Sequence, residues 1–322
     1  RDYKVTGVQT CALPIYISPS LRRYCPIVIM GLDDWGCPMS GTAQTAEKLH
    51  NAGIEVRPLG PVIGAEIHNV DLTQPLAAEQ VEAIRAAWLE HQVIFFRDQD
   101  LSLEQHKAFG RQFGELHIHP NVPGHPDHPE VLVIHADENS KGVAGHAWHT
   151  DVSCDPEPPA GSILRLTETP ANGGGDTLFA SMYRAYEALS DVWKSFLAPL
   201  RAIHESAHVH GRYRERSLAE DGKFVQSEHP VIRTHPETGR KALYVNSAFT
   251  TRIRGMTRAE SDATLAFLYR HMEHIDFQCR FRWQPHSIAM WDNRCVQHHA
   301  AWDYYPEVRH GYRVTLCGDR PF

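Results

Sequence analysis

The chain has 322 residues, 42% of them apolar and 22% charged, with a formal net charge of −7. That balance fits a globular protein and, with no basic run to neutralise phosphates, argues against nucleic acid as a partner. Seven cysteines with no Cys-x-x-Cys pair and no framework spacing point to a reducing, cytoplasmic compartment rather than a disulfide scaffold.

Taken from the N-terminus, residues 5–15 read as the in-frame translation of a common sequencing adapter and are set aside as a fusion scar would be. Residues 16–52 carry no clear period, and the apolar run at 25–32 is too short to span a membrane and follows no secretory pattern. We therefore expect residues 1–52 to be an artefactual or disordered extension and residues 53–322 to be one large domain, with no membrane association. Residues 73–91 are expected to form a helix with Val81, Ile84 and Trp88 on one stripe, running into the apolar strand 93–96. A second helix starts at Ser102, whose hydroxyl forms a capping box with Gln105, and buries Phe109 and Phe113. Strands follow at 131–135, 161–166 and 177–180, then helical segments from 181 to 197. Farther on come strands near 231–234 and 242–246, a helix capped by Thr257 and Glu260, and strands at 277–283, 287–291 and 312–317. Many short strands with long turn-rich connections place the chain in the α+β class and suggest a double-sheet jelly roll flanked by helices. The Pro/His-rich loop 117–130 and the polar stretch 211–228 are expected to act as mobile lids.

Chemistry enters with His149-Thr150-Asp151 and, far downstream, His298. Two neutral imidazole nitrogens and one carboxylate oxygen on one face of Fe(II) leave coordination positions open for oxygen activation. In an extended segment residues i and i+2 point the same way, so His149 and Asp151 can reach one ion while Thr150 points elsewhere. His-x-Asp arises often by chance among 22 histidines, so its weight depends on what accompanies it.

What accompanies it is the run Gly174-Gly175-Asp176-Thr177, then Trp291-Asp292-Asn293-Arg294 followed by Gln297-His298, with Arg309 and Arg313 beyond. In order and spacing these motifs resemble the taurine dioxygenase (TauD/TfdA) family, from about Gly60 to Phe322. The resemblance implies a double-stranded β-helix, a jelly roll, and an enzyme that uses Fe(II), 2-oxoglutarate and O2 to oxidise a C–H bond. It makes His149, Asp151 and His298 the iron ligands. Adjacent side chains on a strand face opposite ways, so His299 is expected to have a packing or supporting role. Relatives of this chemistry that halogenate lack the carboxylate, so Asp151 points to hydroxylation.

For the distal carboxylate of 2-oxoglutarate the resemblance offers Arg309 and Thr177, a guanidinium able to make two parallel bonds and a hydroxyl adding a third. For the substrate's anionic head it offers His119, the Val152 backbone N–H and Arg313, with Phe249 walling the pocket. Three departures count against taurine itself: Val122 stands where the taurine enzyme has tyrosine, Gly145 where it has asparagine, and His210 near where it has phenylalanine. An organosulfonate or alkyl sulfate ester is therefore the first expectation. An aryloxyalkanoate is the second, because Ser181-Met182-Tyr183 and Arg254-Gly255-Met256-Thr257 look closer to dioxygenases of that kind. Hydroxylation next to the heteroatom would give an unstable product that releases sulfite, sulfate or a phenol. The competing class, a jelly-roll protein that binds a metal or anion without turnover, leaves the joint occurrence of Thr177, Arg309 and the three ligands unexplained. A homo-oligomer is expected.

Overall fold

The computed structural model describes residues 52–119, 122–143, 145–207 and 224–322. Of the expected extension at 1–52, all but the last residue lies outside the described residues, as does the departure at His210. The first described pair of strands, β1 (Glu55–Pro58) and β2 (Ala65–His68), has no counterpart among the expected elements: each strand is only four residues long. α1 (Ala78–His91) begins five residues later than expected. Pro75 disfavours helical backbone at the residue before it, and Asp71 Oδ1 instead accepts from Thr73 N at 2.9 Å and Thr73 Oγ1 at 2.6 Å, closing a local turn. Gln92, at φ 67°, ends the helix and turns the chain into β3 (Val93–Phe96). α2 (Leu103–Arg111) starts as its sequence dictates: Ser102 Oγ accepts from Gln105 N at 3.2 Å while Ser102 N donates to Gln105 Oε1 at 2.7 Å.

The rest of the chain supplies, in order, β4 (Val131–Ala136), β5 (Gly161–Glu168), β6 (Thr177–Ser181), the short helices α3 (Met182–Glu187) and α4 (Asp191–Leu197), β7 (Arg201–Glu205), β8 (Gln226–Pro230), β9 (Ile232–Thr234) and β10 (Lys241–Leu243). β11 (Thr250–Ile253), α5 (Arg258–Met272), β12 (Gln278–Phe281), β13 (Ile288–Asp292), β14 (Val296–Ala300) and β15 (Arg309–Leu316) complete it. The stretch expected as a lid at 211–228 ends inside β8, and residues 211–223 lie outside the described set. At the other expected lid, His125 N donates to Val131 O and Val131 N to His128 O, so the second half of that loop closes on itself.

The architecture is mixed, with strands predominating over helices. A seven-stranded sheet in the order β1-β2-β3-β13-β5-β15-β4 is antiparallel except where β2 runs parallel to β3. Three smaller sheets accompany it: β12-β6-β14, β11-β7-β8 and the hairpin β9-β10. Alternation divides the large sheet into two faces. Ile94, Phe96, Ile163, Met290 and Val314 pack with Trp88 and Phe109 of the helices; Phe95, Leu164, Leu166 and Trp291 face the opposite way, toward Phe179 of β6. Phe95 stacks on Phe281 with ring centres 3.9 Å apart, tying the large sheet to β12. Truncating such a buried aromatic typically costs about 3–5 kcal/mol. A register shift between His310 and Gly311 puts a bulge into the β15–β5 pairing. A Cβ at Gly311 would meet the Arg165 carbonyl oxygen at 2.1 Å, so only glycine fits there. Among the described residues no helix is long and apolar enough to cross a membrane.

Candidate active site

His298 reaches the interior because β14 alternates: its ring lies 4.7 Å from that of Trp291, while His299 points to the other side, half-buried, 5.1 Å from the His146 ring and 5.6 Å from Trp148. A two-way backbone bridge, His149 N to His298 O at 3.1 Å and the reverse at 2.8 Å, brings the segment of His149 and Asp151 alongside β14. The two imidazoles stand 4.1 Å apart, centre to centre. His149 Nδ1 lies 2.8 Å from the Ala147 carbonyl oxygen, which only an N–H satisfies, so Nε2 carries the lone pair. That nitrogen is 3.7 Å from Asp151 Oδ1, too far for a hydrogen bond and close enough to share an ion. His298 Nδ1 is buried without any hydrogen-bond partner. One ligand atom from each of His149, Asp151 and His298 falls within 4.8 Å of the others.

Electrostatics prepare these groups to bind a cation. Burial draws both imidazoles below their ordinary pKa, keeping each ring neutral, with one lone-pair nitrogen, at neutral pH. Burial alone would raise the Asp151 carboxyl, but the Arg313 guanidinium at 2.8 Å, the two neighbouring imidazoles and the Ser162 hydroxyl together outweigh it and hold the group ionised, below the usual carboxylate range. Two neutral nitrogens and one anionic oxygen, all buried, fit Fe(II).

Asp151 is held from behind. Its Oδ2 accepts from Ser162 Oγ at 2.7 Å; that oxygen accepts in turn from Asn293 Nδ2 at 3.1 Å. Asn293 also takes the Trp291 indole N–H on its Oδ1 at 2.9 Å and the Thr150 hydroxyl on its backbone carbonyl at 2.6 Å. In the sequence Trp291 and Asn293 stand out only as part of a motif, and Ser162 does not stand out at all, because nothing in spacing reveals contacts across 131 to 143 positions.

A second trio, His235, Asp292 and Cys295, also places ligand atoms within 4.8 Å of one another. Its lone pairs are taken. Asp292 receives Arg294 through both oxygens, at 2.8 and 2.7 Å, and His235 Nε2 at 3.0 Å. His235 Nδ1 accepts from the backbone N–H groups of Glu237 and Thr238. Burial and the Asp292 charge push the Cys295 thiol well up, so no thiolate is on offer. The cluster is a structural ion-pair network, continued by Arg294 Nη1 to Glu237 at 2.6 Å.

Near the triad lies a cationic cradle. Arg309, at the start of β15, is only 4% exposed, and its Nε donates to the Gly175 carbonyl oxygen at 3.1 Å. Its terminal nitrogens have no acceptor among the described residues. Thr177 Oγ1 accepts from Trp283 Nε1 at 3.0 Å, leaving the hydroxyl proton to donate. Gly175, at φ 81°, is required: a Cβ there would stand 3.0 Å from Arg309 Cδ.

The remaining sequence candidates divide. Arg313 faces the triad and bonds Asp151 directly. Val152 follows at φ 48°, a strained conformation for a β-branched residue, and packs with Cys154 and Phe249. Asn246 joins these segments: its side-chain amide donates to Ser153 Oγ at 3.0 Å, and its Oδ1 accepts from Phe249 N at 2.9 Å. His119 Nδ1 accepts from Val122 N at 3.1 Å. Gly145 has φ 86°, and a Cβ there would come 3.1 Å from His149 Cε1, so a side chain at this position would press on the triad.

Comparison with known proteins agrees with this geometry. The family model described as taurine catabolism dioxygenase TauD, TfdA family matches residues 55–315. An alpha-ketoglutarate-dependent sulfate ester dioxygenase of Pseudomonas putida is 35% identical over 290 residues, covering 87% of this chain and 94% of that protein. An alpha-ketoglutarate-dependent sulfonate dioxygenase of Saccharomyces cerevisiae is 33% identical over 315 residues, 93% of this chain and 76% of its own length. The crystal structure of a taurine dioxygenase from Burkholderia xenovorans superposes with a TM-score of 0.73 at 41% identity, over 83% of this chain and 90% of that one. A buried two-histidine, one-carboxylate cluster beside an unclaimed guanidinium is thus carried by a chain that belongs to the TauD/TfdA family, and the protein is a dioxygenase dependent on Fe(II), 2-oxoglutarate and O2.

Proposed function

We propose that the protein hydroxylates a small organosulfonate or alkyl sulfate ester at the carbon next to the heteroatom, so that the product collapses to release sulfite or sulfate. The observation that carries the substrate class is Arg313: a guanidinium turned onto the triad's carboxylate suits an oxyanion delivered beside the metal. The names of the Pseudomonas and Saccharomyces relatives support the same class. Fe(II) with 2-oxoglutarate and O2 supplies the oxidation of the C–H bond. The protein's own part is positioning. His149, Asp151 and His298 would hold the iron, with Ser162 and Asn293 fixing the carboxylate. Arg309 and the free proton of Thr177 would take the distal carboxylate of 2-oxoglutarate. His119, the Val152 N–H and Arg313 would meet the head group, with Phe249 as an apolar wall.

We read the sheets as the double-stranded β-helix of the family, a jelly roll joined at the His149–His298 bridge, and residues 53–322 as its single catalytic domain. Cys154, Cys279, Cys295 and Cys317 are free thiols, in keeping with a reducing, cytoplasmic compartment.

The test is a substrate panel. Oxygen uptake and succinate release are followed at equal concentrations of taurine, hexanesulfonate, hexyl sulfate and a dichlorophenoxyalkanoate. Gly145 and Val122 remove polar volume where taurine's ammonium end would be gripped. Hexyl sulfate or hexanesulfonate should therefore exceed taurine in kcat/KM by about tenfold or more, on the order of 1.4 kcal/mol in transition-state binding. Taurine as the best substrate would sink the pocket argument; the dichlorophenoxyalkanoate as the best would move the protein to the aryloxyalkanoate class.

A further inference from the structure

The inner face of the large sheet carries a row of side chains in which two members, Thr315 and His117, have no part in the proposed function. Register sets Trp291 opposite Ser162 and Ser162 opposite Thr315. The row then continues onto residues 115–117, which pair with the end of β15. Leu116 bridges Leu316, His117 N donates to Thr315 O at 2.8 Å, and Cys317 N donates to Glu115 O at 2.8 Å. Leu116 and Leu316 both pack on the helical side. Alternation therefore turns His117 and Thr315 inward, on the face that carries Arg313 two residues earlier and Ser162 beneath Asp151.

Two polar atoms in this row are buried and make no hydrogen bond: Thr315 Oγ1 and Arg313 Nε. Thr315 is 4% exposed, so its hydroxyl has lost water without gaining a partner, which is uncommon and costly. Arg313 Nη1 is already engaged with Asp151, leaving the Nε edge of the guanidinium available. His117 is half-buried beside them. Burial, then Arg313, lowers its pKa while Asp151 opposes, which places the imidazole within electrostatic reach of both groups and leaves it neutral at neutral pH. Three donors so placed suit an anion with three terminal oxygens arranged about a tetrahedral centre. A planar carboxylate, with two, leaves one of them unmatched.

We propose that Thr315 Oγ1, Arg313 Nε and the His117 imidazole form an oxyanion subsite that recognises the tetrahedral head of a sulfonate or sulfate ester, making Thr315 and His117 specificity residues. The assignment rests on the anionic-substrate reading above and sharpens it. It requires Thr315 to act through its hydroxyl alone, and it requires its loss to be felt by tetrahedral anions more than by carboxylates.

Calorimetric titration of the Mn(II)- and 2-oxoglutarate-loaded protein, without oxygen, with hexyl sulfate and with 2,4-dichlorophenoxyacetate tests this without relying on turnover. Thr315→Val, which keeps shape and removes the hydroxyl, should weaken hexyl sulfate by about tenfold, as expected for one hydrogen bond to a charged group, and change dichlorophenoxyacetate and 2-oxoglutarate by less than about threefold. Thr315→Ser should bind hexyl sulfate like the wild type. His117→Leu, at a half-buried position that tolerates replacement, should weaken hexyl sulfate several-fold and probes the same subsite if Thr315→Val does not fold. Wild-type affinity in Thr315→Val or His117→Leu, or a Thr315→Ser protein as weak as Thr315→Val, overturns the subsite and leaves the substrate class standing. A wild-type protein that binds dichlorophenoxyacetate but not hexyl sulfate overturns both.

Discussion

Among the described residues there are two buried trios of metal-ligand type, and they behave oppositely. Around His235, Asp292 and Cys295 every strong acceptor is occupied and the thiol is kept protonated; around His149, Asp151 and His298 one imidazole nitrogen is orphaned and another faces a carboxylate at 3.7 Å. Residue type is therefore a poor guide to a metal site. What separates them is whether lone pairs remain once the protein's own donors have been counted. We read the first trio as structural and the second as the metal site.

The comparison breaks most visibly by deleting ligands. His149→Ala, Asp151→Ala or His298→Ala should remove stoichiometric Fe(II) or Co(II) binding and all measurable succinate release, whereas His299→Ala should keep both. Metal retained by His298→Ala and lost by His299→Ala would show that β14 presents the other imidazole. Asp292→Ala should do the converse. It leaves Arg294 with Glu237 as its one remaining carboxylate, removes the acceptor of His235, and should lower unfolding free energy by about 3–5 kcal/mol while one metal per chain still binds, read by urea denaturation and metal analysis. A smaller effect is expected at Ser162→Ala, which frees one Asp151 oxygen. Metal affinity should fall by about 10–100-fold, with 2-oxoglutarate binding in excess metal little changed.

The gentlest probe is pH, because several histidines outside both trios are kept neutral by burial. Burial pulls His106 and His204 to about 3 and His229 to about 4. Between pH 6.5 and those values the unfolded chain binds their protons and the folded one does not, so stability falls as the pH drops. Asp155, pushed up to about 6 by burial, works the other way between about 6 and its ordinary 3.8. Of these four groups alone, three against one leave two protons, a loss of about 2.7 kcal/mol per pH unit between pH 6 and 4, to which the other histidines lowered by burial, His149 and His298 among them, add. Asp155→Asn should steepen the slope by a further about 1.4 kcal/mol per unit. An unchanged slope in urea titrations at pH 6, 5 and 4 would mean that Asp155 is ionised in the folded protein.

How much of the fold the sequence makes legible follows from which forces act locally. The capping box at Ser102 and Gln105 and the strand at 93–96 are local, and both are readable. β14 is not, although it carries His298, because Val296, Gln297 and His298 are all buried and the alternation that marks a strand is erased. The start of α1 is hidden because the polar turn at Asp71 outcompetes helical backbone before Pro75. At the site, the charged and imidazole candidates announce themselves by type. Ser162, Asn246 and Thr315 do not, since a serine, an asparagine or a threonine acquires its role only from partners far away in the chain, or from having none.

The bulge at His310–Gly311 lies between Arg309 and Arg313, and it fixes how far apart the two cations that we assign to the cosubstrate and the substrate sit. Their separation is written into backbone, through a glycine that no other residue can replace, and not into either side chain. On that assignment, variation at His117, Val122 or Gly145 can redraw the substrate end of the site while the cosubstrate end stays at the same reach. Such a fold can acquire new substrates by drift at one end without renegotiating the reaction at the other.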